Sequence, residues 1–363
     1  MKHNWEYKKL GEICDIYQPK TISTTMLVEN GKYPVYGANG IIGKYDKYNH
    51  QEKELLMTCR GATCGSINVS QPYSWINGNA MVIHPLHDNI VFDFLKYQLM
   101  TLNLSCIVTG AAQPQITRQS LTPILIPLPP LSVQERIVEE LDRLSLILEK
   151  KKQQIKELDS LAQSIFYDMF GDPIENEKDW EIKKLGEVGE IVTGSTPSTT
   201  DNTNWNGKIN WVTPAELSNQ LFYGATQRRL TEKGAKNLTL MPVGTVLLSS
   251  RAPIGKIAIT TQPMCCNQGF KNIICGEYLN NIFLYYYLLI TLENIKALGC
   301  GATFKEVSKK AIYSYETILP PLDLQQSFAK KIEAIEKQKE LINQSIKEVQ
   351  LLFDAKMDYY FGD

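Results

Sequence analysis

Net charge is almost absent from this chain: 38 Lys and Arg stand against 39 Asp and Glu, leaving −1 over 363 residues. A uniformly basic nucleic-acid coat is excluded, so any electrostatic footprint must be local. Long apolar runs are missing as well. The stretch Ile282–Ile290 falls far short of the ~20 residues that a bilayer requires, and no membrane partner is expected. No basic-then-apolar leader opens the sequence, and its eight cysteines lack framework spacing. The expectation is a cytoplasmic protein with reduced thiols.

The motifs of nucleotide and methyl-transfer chemistry are also missing. No Asn/Asp-Pro-Pro-Tyr/Phe tetrapeptide of an amine methyltransferase occurs; the Pro-Pro pairs lie only in LPPL. There is no GxGxxG, and no Gly-Lys is followed by Ser or Thr, which excludes a P-loop. Glu6-Tyr-Lys8 and Glu181-Ile-Lys183 match the tail of a metal-nuclease signature, but each lies in an alternating surface strand. Cys59, Cys64, His84 and His87 can be drawn as a zinc set, yet the spacing is irregular and Ser250 stands where Cys59 falls in the second half. The chain is expected to carry no active site, no metal and no cofactor of its own.

What is present is repetition. WEYKKLGEI at 5–13 returns as WEIKKLGEV at 180–188, an offset of 175. LPPL at 128–131 returns at 319–322, and MFGD at 169–172 returns as YFGD at 360–363, both at an offset of 191. LLMTCR (55–60) and the LLSSR ending at Arg251 share that larger offset, as do GAAQPQIT (110–117) and GATFKEVS (301–308). The second copy therefore has 16 extra residues, placed before residue 246, with the rest held in length. At this length two cores are the natural expectation. The division reads as a first domain at 1–130, a spacer helix at 131–171, a second domain at 172–320 and a second helix at 321–363. Charge follows it: 11 Lys/Arg against 9 Asp/Glu in 1–130 and 14 against 9 in 182–320, but 6 against 8 in each of 131–170 and 321–363. The globular parts are net positive and the helices net negative, which suits DNA contact by the former or is ordinary surface scatter.

The helical stretches are long. Pro129 and Pro130 block helix before residue 131. Ser132 with Glu135 reads as a capping box, and Asp323 with Gln326 repeats it. Gly171 and Gly362 suit left-handed C-terminal caps. An apolar 4-3 ladder runs Ile137, Leu141, Leu144, Leu148, Ile155, Leu158, Ala162, Ile165, Met169, with Lys151 as a break. The second reads Phe328, Ile332, Ile335, Ile342, Ile346, Val349, Phe353, Tyr360, with Lys339 and Lys356 as breaks. This spacing is a coiled-coil seam; the alternative is two helices that each cover their own domain. The breaks either fix register or face solvent, and the reading favours solvent. Since the first helix leaves one domain for the other and the second leaves the latter, a pair must be antiparallel. Each of ~38 residues spans about 57 Å, which gives two domains held apart by a rod, related by an approximate two-fold axis. The fold class is α+β: two tandem α/β domains and two long antiparallel helices.

Within the domains, YPVYGANGIIGKY (33–45) carries the hairpin signal Asn39-Gly40. The same zone of the second copy is TGSTPSTTDNTNWNGKINWVTP (193–214), a polar loop suited to phosphate and base-edge contacts or simply solvated. Arg60 and Arg251 end equivalent strands; each can read guanine, bind phosphate or form a structural ion pair. Asn77–Asn79 and Asn267-Gln268 supply amides suited to adenine. Apolar helices near 89–104 and 280–297 read as core.

Tandem unlike domains, each followed by a long helix entered through LPPL and left through FGD, resemble the specificity subunits of type I restriction–modification systems. The carriers are the W-E-x-K-K-L-G-E openings, GSTPS at 194–198, NQGF at 267–270, LPPL-x-x-Q with Gln134 and Gln325, and both FGD ends. The resemblance covers essentially the whole chain, although the first copy lacks GSTPS and has WINGNAMV where NQGFKNII stands. It implies that each domain recognises one part of a bipartite asymmetric sequence in double-stranded DNA and that the helices set the unspecified gap. It also implies two modification subunits docked on the helices, supplying AdoMet chemistry, and restriction subunits supplying ATP- and Mg2+-dependent translocation and cleavage. DNA contacts are expected from Asn39, Lys44, Arg60, Asn77, Asn79, Gln113, Gln115 and Arg118 in the first domain. In the second they are expected from Ser195, Thr196, Ser198, Asn204, Asn206, Arg251, Asn267, Gln268, Lys271, Lys305 and Lys309. The alternatives are a catalytic nuclease or methyltransferase, resting on the two Glu-x-Lys pairs, and a coiled-coil scaffold that never touches DNA.

Overall fold

A computed structural model describes residues 5–110, 114–218, 220–251, 253–300 and 305–362. They form two compact units, residues 1–152 with 344–363, and residues 153–343. Each unit thus holds one globular domain, the adjoining part of its own long helix and part of the other.

In the first unit the opening strand Glu6–Lys9 pairs antiparallel with Leu125–Leu128, so the two ends of the domain are tied together. A four-stranded sheet follows in the order Cys14–Tyr17, Ala80–Pro85, Leu55–Thr58, Ile67–Val69. Its inner residues Ile16, Leu55, Met57 and Ile83 are buried with Leu10, Leu95 and Leu121. A three-stranded sheet, Gly40–Tyr45, Tyr33–Gly37 and Trp75–Ile76, carries the tight hairpin. That hairpin turns at Ala38 and Asn39, closed by the Gly37–Gly40 pair. Helix Phe92–Thr101 turns Phe94 and Tyr97 toward Ile137, Leu141, Met357 and Phe361 of the long helices.

The second unit repeats this plan. Ile182–Lys184 pairs with Glu316–Ile318. The larger sheet runs Gly189–Val192, Asn272–Cys275, Val246–Leu248, Ile257–Thr260, Phe222–Tyr223, and the smaller Arg228–Leu230, Trp205–Val212, Met264–Cys266. In this copy the strands of the smaller sheet carry a small core of their own, Trp205, Trp211, Leu230 and Cys265. The frame is not held at a single offset, as the repeats alone suggest. The N–H of Asn77 bonds Tyr36 as that of Asn267 bonds Val212, 190 positions on. Val91 and Asn280, 189 apart, make the same bond to Gln134 and Gln325. Small compensating slips therefore sit within the repeat.

The long helices span Leu131–Phe170 and Leu322–Phe361, 40 residues each. Each starts on the carbonyl of the second proline: the N–H groups of Val133 and Gln134 bond Pro130, and that of Gln325 bonds Pro321. Ser132 and Asp323 lie inside the first turn, so the expected capping boxes are not the helix starts. A buried glutamine holds the entry instead. Gln134 donates to the Asn89 and Pro129 carbonyls and accepts the Val91 N–H, each at 2.9 Å. Gln325 does the same with Tyr278, Pro320 and Asn280 at 3.1, 2.8 and 2.8 Å. At the other end Gly171 is left-handed, with φ +76°, and the Trp180 indole donates to the Phe170 carbonyl at 2.8 Å. Gly362 is not left-handed, although its N–H still bonds the Asp358 carbonyl.

In the first unit the start of the first long helix meets the end of the second: Glu140 holds Lys356 at 2.6 Å and accepts the Tyr360 hydroxyl. In the second unit the end of the first meets the start of the second, through Asp159–Lys339 at 2.7 Å and Phe166 edge-on to Phe328. The helices are therefore antiparallel, and Lys339 and Lys356 pair across the seam rather than facing solvent. The seam is also broader than the ladder predicts. Phe166 and Phe170, which the ladder omits, are fully buried against Phe283 and Phe328.

Candidate nucleic-acid interface

Of the residues expected to meet DNA, Asn39, Lys44, Asn77, Asn79, Asn204, Asn206, Asn267 and Gln268 lie on or beside the smaller sheets, whereas Arg60, Arg251 and Lys271 adjoin strands of the larger ones and Arg118 and Lys309 lie on short helices. In the first unit, Asn39 sits exposed at the hairpin turn. Its Oδ1 accepts the hydroxyls of Thr58 and Thr63 at 3.0 and 2.8 Å, which orients the amide. Lys44 is exposed on the outer strand. Arg60 is exposed and its backbone bridges to half-buried Gln115. Arg118 opens a short helix with its guanidinium 4.0 Å from Asp15. Asn79 is exposed, but Asn77 is buried and its Oδ1 accepts the Ile22 N–H at 3.0 Å, a structural role. Gln113 lies outside the described residues.

Arg251 repeats the backbone bridge of Arg60, with Glu306 where Gln115 stands. The change of partner alters its charge. Arg251 Nε lies 2.9 Å from Glu306, whose other oxygen holds Lys271 at 3.1 Å. Lys271 Nζ also reaches the Ser250 hydroxyl at 3.1 Å, and its side chain is only 8% exposed. Burial alone raises the Glu306 carboxyl, but the hydrogen bonds and charges of Lys271 and Arg251 outweigh it and hold the group below the usual carboxylate range. Of the roles open to Arg251, the structure shows the ion pair. Lys271 is turned inward. Among the described residues no carboxylate lies within ion-pair distance of Arg60.

The polar loop of the second unit is pinned by tryptophans. The Trp211 indole donates to the Ser195 carbonyl at 3.1 Å, and that of Trp205 to Ser198 at 3.0 Å. Thr196 donates to Gln268 at 2.7 Å, joining this loop to the turn after Met264–Cys266. Asn267 folds onto its own turn through the Gly269 N–H. Asn204 is buried and bonds the Ser198 carbonyl at 3.3 Å, whereas Asn206 is exposed with φ +64°. Lys305 and Lys309 are exposed. Trp205, Trp211 and the exposed Arg228 and Arg229 of the outer strand are not among the contacts that the sequence suggests. The strand shifts register between Trp205 and Ile209, so the W-x5-W spacing gives no alternating-strand signal.

The chemistry weighed for other sites finds a different use for its residues. Glu6 pairs with Lys8 at 2.5 Å and Glu181 with Lys183 at 2.6 Å, each closing on itself. Cys59 donates to the Asn79 carbonyl, and His84 bonds the buried Glu54 at 2.9 Å. Among the described residues no cluster of three His, Cys, Asp or Glu side chains could hold a metal ion. None of the described helices is long and apolar enough to cross a membrane.

The model of the type I restriction modification DNA specificity domain matches twice, over residues 2–158 and 177–351. The chain is 39% identical over 158 residues to the type I restriction enzyme MjaIX specificity subunit of Methanocaldococcus jannaschii, spanning 42% of this chain and 37% of that relative. A putative MjaX specificity subunit of the same organism is 28% identical over 307 residues, spanning 77% of this chain and 71% of the relative. The crystal structure of a type I restriction–modification S subunit from M. genitalium superposes over 99% of this chain and 96% of its own, with a TM-score of 0.64 at 15% identity.

Proposed function

The chain belongs to the type I restriction modification DNA specificity family, and from that premise we propose that its two units read the two parts of one bipartite, asymmetric DNA sequence for a restriction–modification complex. The observation that carries this reading is a constant frame bearing unlike surfaces. Both units share strand pairing, glutamine clamp and helix entry, while the smaller sheet and its loops differ in length, charge and packing. Two unlike readers on one frame suit two unlike half-sites. Exposed amides, hydroxyls and cations on these surfaces suit base edges and phosphates.

In this reading the chain supplies recognition and no catalysis. Two modification subunits dock along the paired helices and bring AdoMet, and restriction subunits bring ATP- and Mg2+-dependent translocation and cleavage. The helices set the gap between the two half-sites. The complex works in the cytoplasm, where its DNA lies.

The test is the modification pattern of DNA exposed to the complex of this chain with its modification partner. One bipartite motif with a constant gap is expected. Modification scattered over unrelated motifs overturns the reading, as does cleavage or methyl transfer by this chain alone.

A further inference from the structure

We infer that Arg228 is the specificity-determining arginine of the second unit, placed to read one guanine; this rests on the proposal that the unit reads a half-site. Its guanidinium lies over the face of Trp205, 3.6 Å from the ring centroid, and 5.1 Å from that of Trp211. The two indoles meet edge to face at 5.0 Å and are nearly buried. Stacking on a fixed aromatic face removes the rotamer freedom that an exposed arginine otherwise loses on binding. Among the described residues no acceptor takes the guanidinium N–H groups, which remain available to a ligand. The side chain remains exposed, and among the described residues no carboxylate neutralises it. The ring N–H groups of the same two tryptophans hold the loop at Ser195 and Ser198. Cation and loop are thus parts of one rigid assembly.

Comparison of the two units separates Arg228 from its neighbour. Trp211 pairs with Arg228 and Asn210 with Arg229. Matching Tyr36 to Val212 through their bonds to Asn77 and Asn267 places Val35 opposite Trp211, and Val35 pairs with Gly43 and Pro34 with Lys44. Lys44 therefore holds the register of Arg229, a cation common to both units, as a phosphate contact would be. Arg228 has only Gly43 at its register in the first unit. A charge present in one reader and absent from the other is placed to discriminate, and a planar fork fits the O6 and N7 acceptors of guanine in the major groove.

The test uses the complete complex with its modification partner and duplexes bearing the motif found for the unaltered chain. Replacing guanines of the second half-site one at a time by 7-deazaguanine should reveal one position where the unaltered complex loses about tenfold or more in affinity. At that position the Arg228→Gln complex should show no further loss, and Arg228→Lys should keep affinity for phosphate while losing most discrimination. Arg229→Gln should weaken every duplex alike and flatten the salt dependence by about one unit of slope. Full guanine discrimination by Arg228→Gln, a uniform loss with that variant, or a second half-site without a sensitive guanine overturns the inference. The 7-deazaguanine arm on the unaltered chain stands even if a variant folds poorly. Absence of any bipartite motif would instead remove the underlying reading.

Discussion

Arg60 and Arg251 occupy one position in two copies of one fold, and a single partner decides what each can do. Glu306 neutralises Arg251 and also compensates the nearly buried Lys271, whereas Gln115 leaves Arg60 its charge. Glu306→Gln would strand the Lys271 ammonium beside a neutral amide. Since Glu306 is partly exposed, the expected cost is about 1–3 kcal/mol, below that of a fully buried pair, read by urea unfolding at neutral pH. The carboxyl is held below its usual range in the folded chain. Its contribution is therefore present above the unfolded value of about 4.3 and is lost as pH falls through the folded value. The unaltered chain should lose this part of its stability on acidification, and the variant should lack that component. Equal acid profiles would contradict the assignment. These fates were not legible in the sequence. Lys271 follows a pair of amides read as base contacts, and partners 21 and 35 residues away, Ser250 and Glu306, turn it inward. Trp205, Trp211 and Arg228 are not legible for a related reason. The strand shifts register between Trp205 and Ile209, and stacking across strands has no sequence period.

At the scale of elements, helix entry and seam carry the most information. Gln134 was visible only as part of a recurring LPPL-x-x-Q; that it satisfies three backbone groups at once requires the fold. Gln134→Ala leaves the Val91 N–H and two carbonyls without this partner, and the expected loss is about 2–4 kcal/mol. Gln325→Ala should cost the same in the other unit. Hydrogen exchange should localise each loss to its own unit; a loss shared equally would contradict the division. The heptad reading found both helices and their antiparallel pairing, but it missed Phe166 and Phe170. A 3.5-residue ladder tracks a narrow seam, whereas this helix end also covers helix Asn281–Ile290 and so buries a wider face. From sequence alone Lys339 reads as solvent-facing, because a lone cation in a ladder looks like a frayed position. Its ammonium is desolvated, which lowers its affinity for protons, yet bonds to Asp159 and Glu336 outweigh this and raise it above the ordinary lysine range. A double-mutant cycle of Lys339→Ala and Asp159→Ala should give a coupling of about 0.5–1 kcal/mol that shrinks in high salt. Zero coupling at low salt would return Lys339 to a solvent role.

For the whole molecule, the duplication was legible from the repeated segments alone, because frame residues are constrained alike in both copies. The candidate DNA-facing surfaces were not, because they differ between copies and use long-range contacts. If the helices act as a ruler, adding one heptad to both lengthens the pair by about 10.5 Å. The unspecified gap should then grow by about three base pairs with the specified bases unchanged. A motif with its original gap would show that the helices do not set it. Under the proposed function the two units read separately. The most direct test exchanges residues 182–318 for the matching domain of a relative with a different known motif and maps modified sites across a genome. A motif with one half new, the other half unchanged and the gap kept is expected. A motif altered in both halves, or in neither, would contradict separate reading.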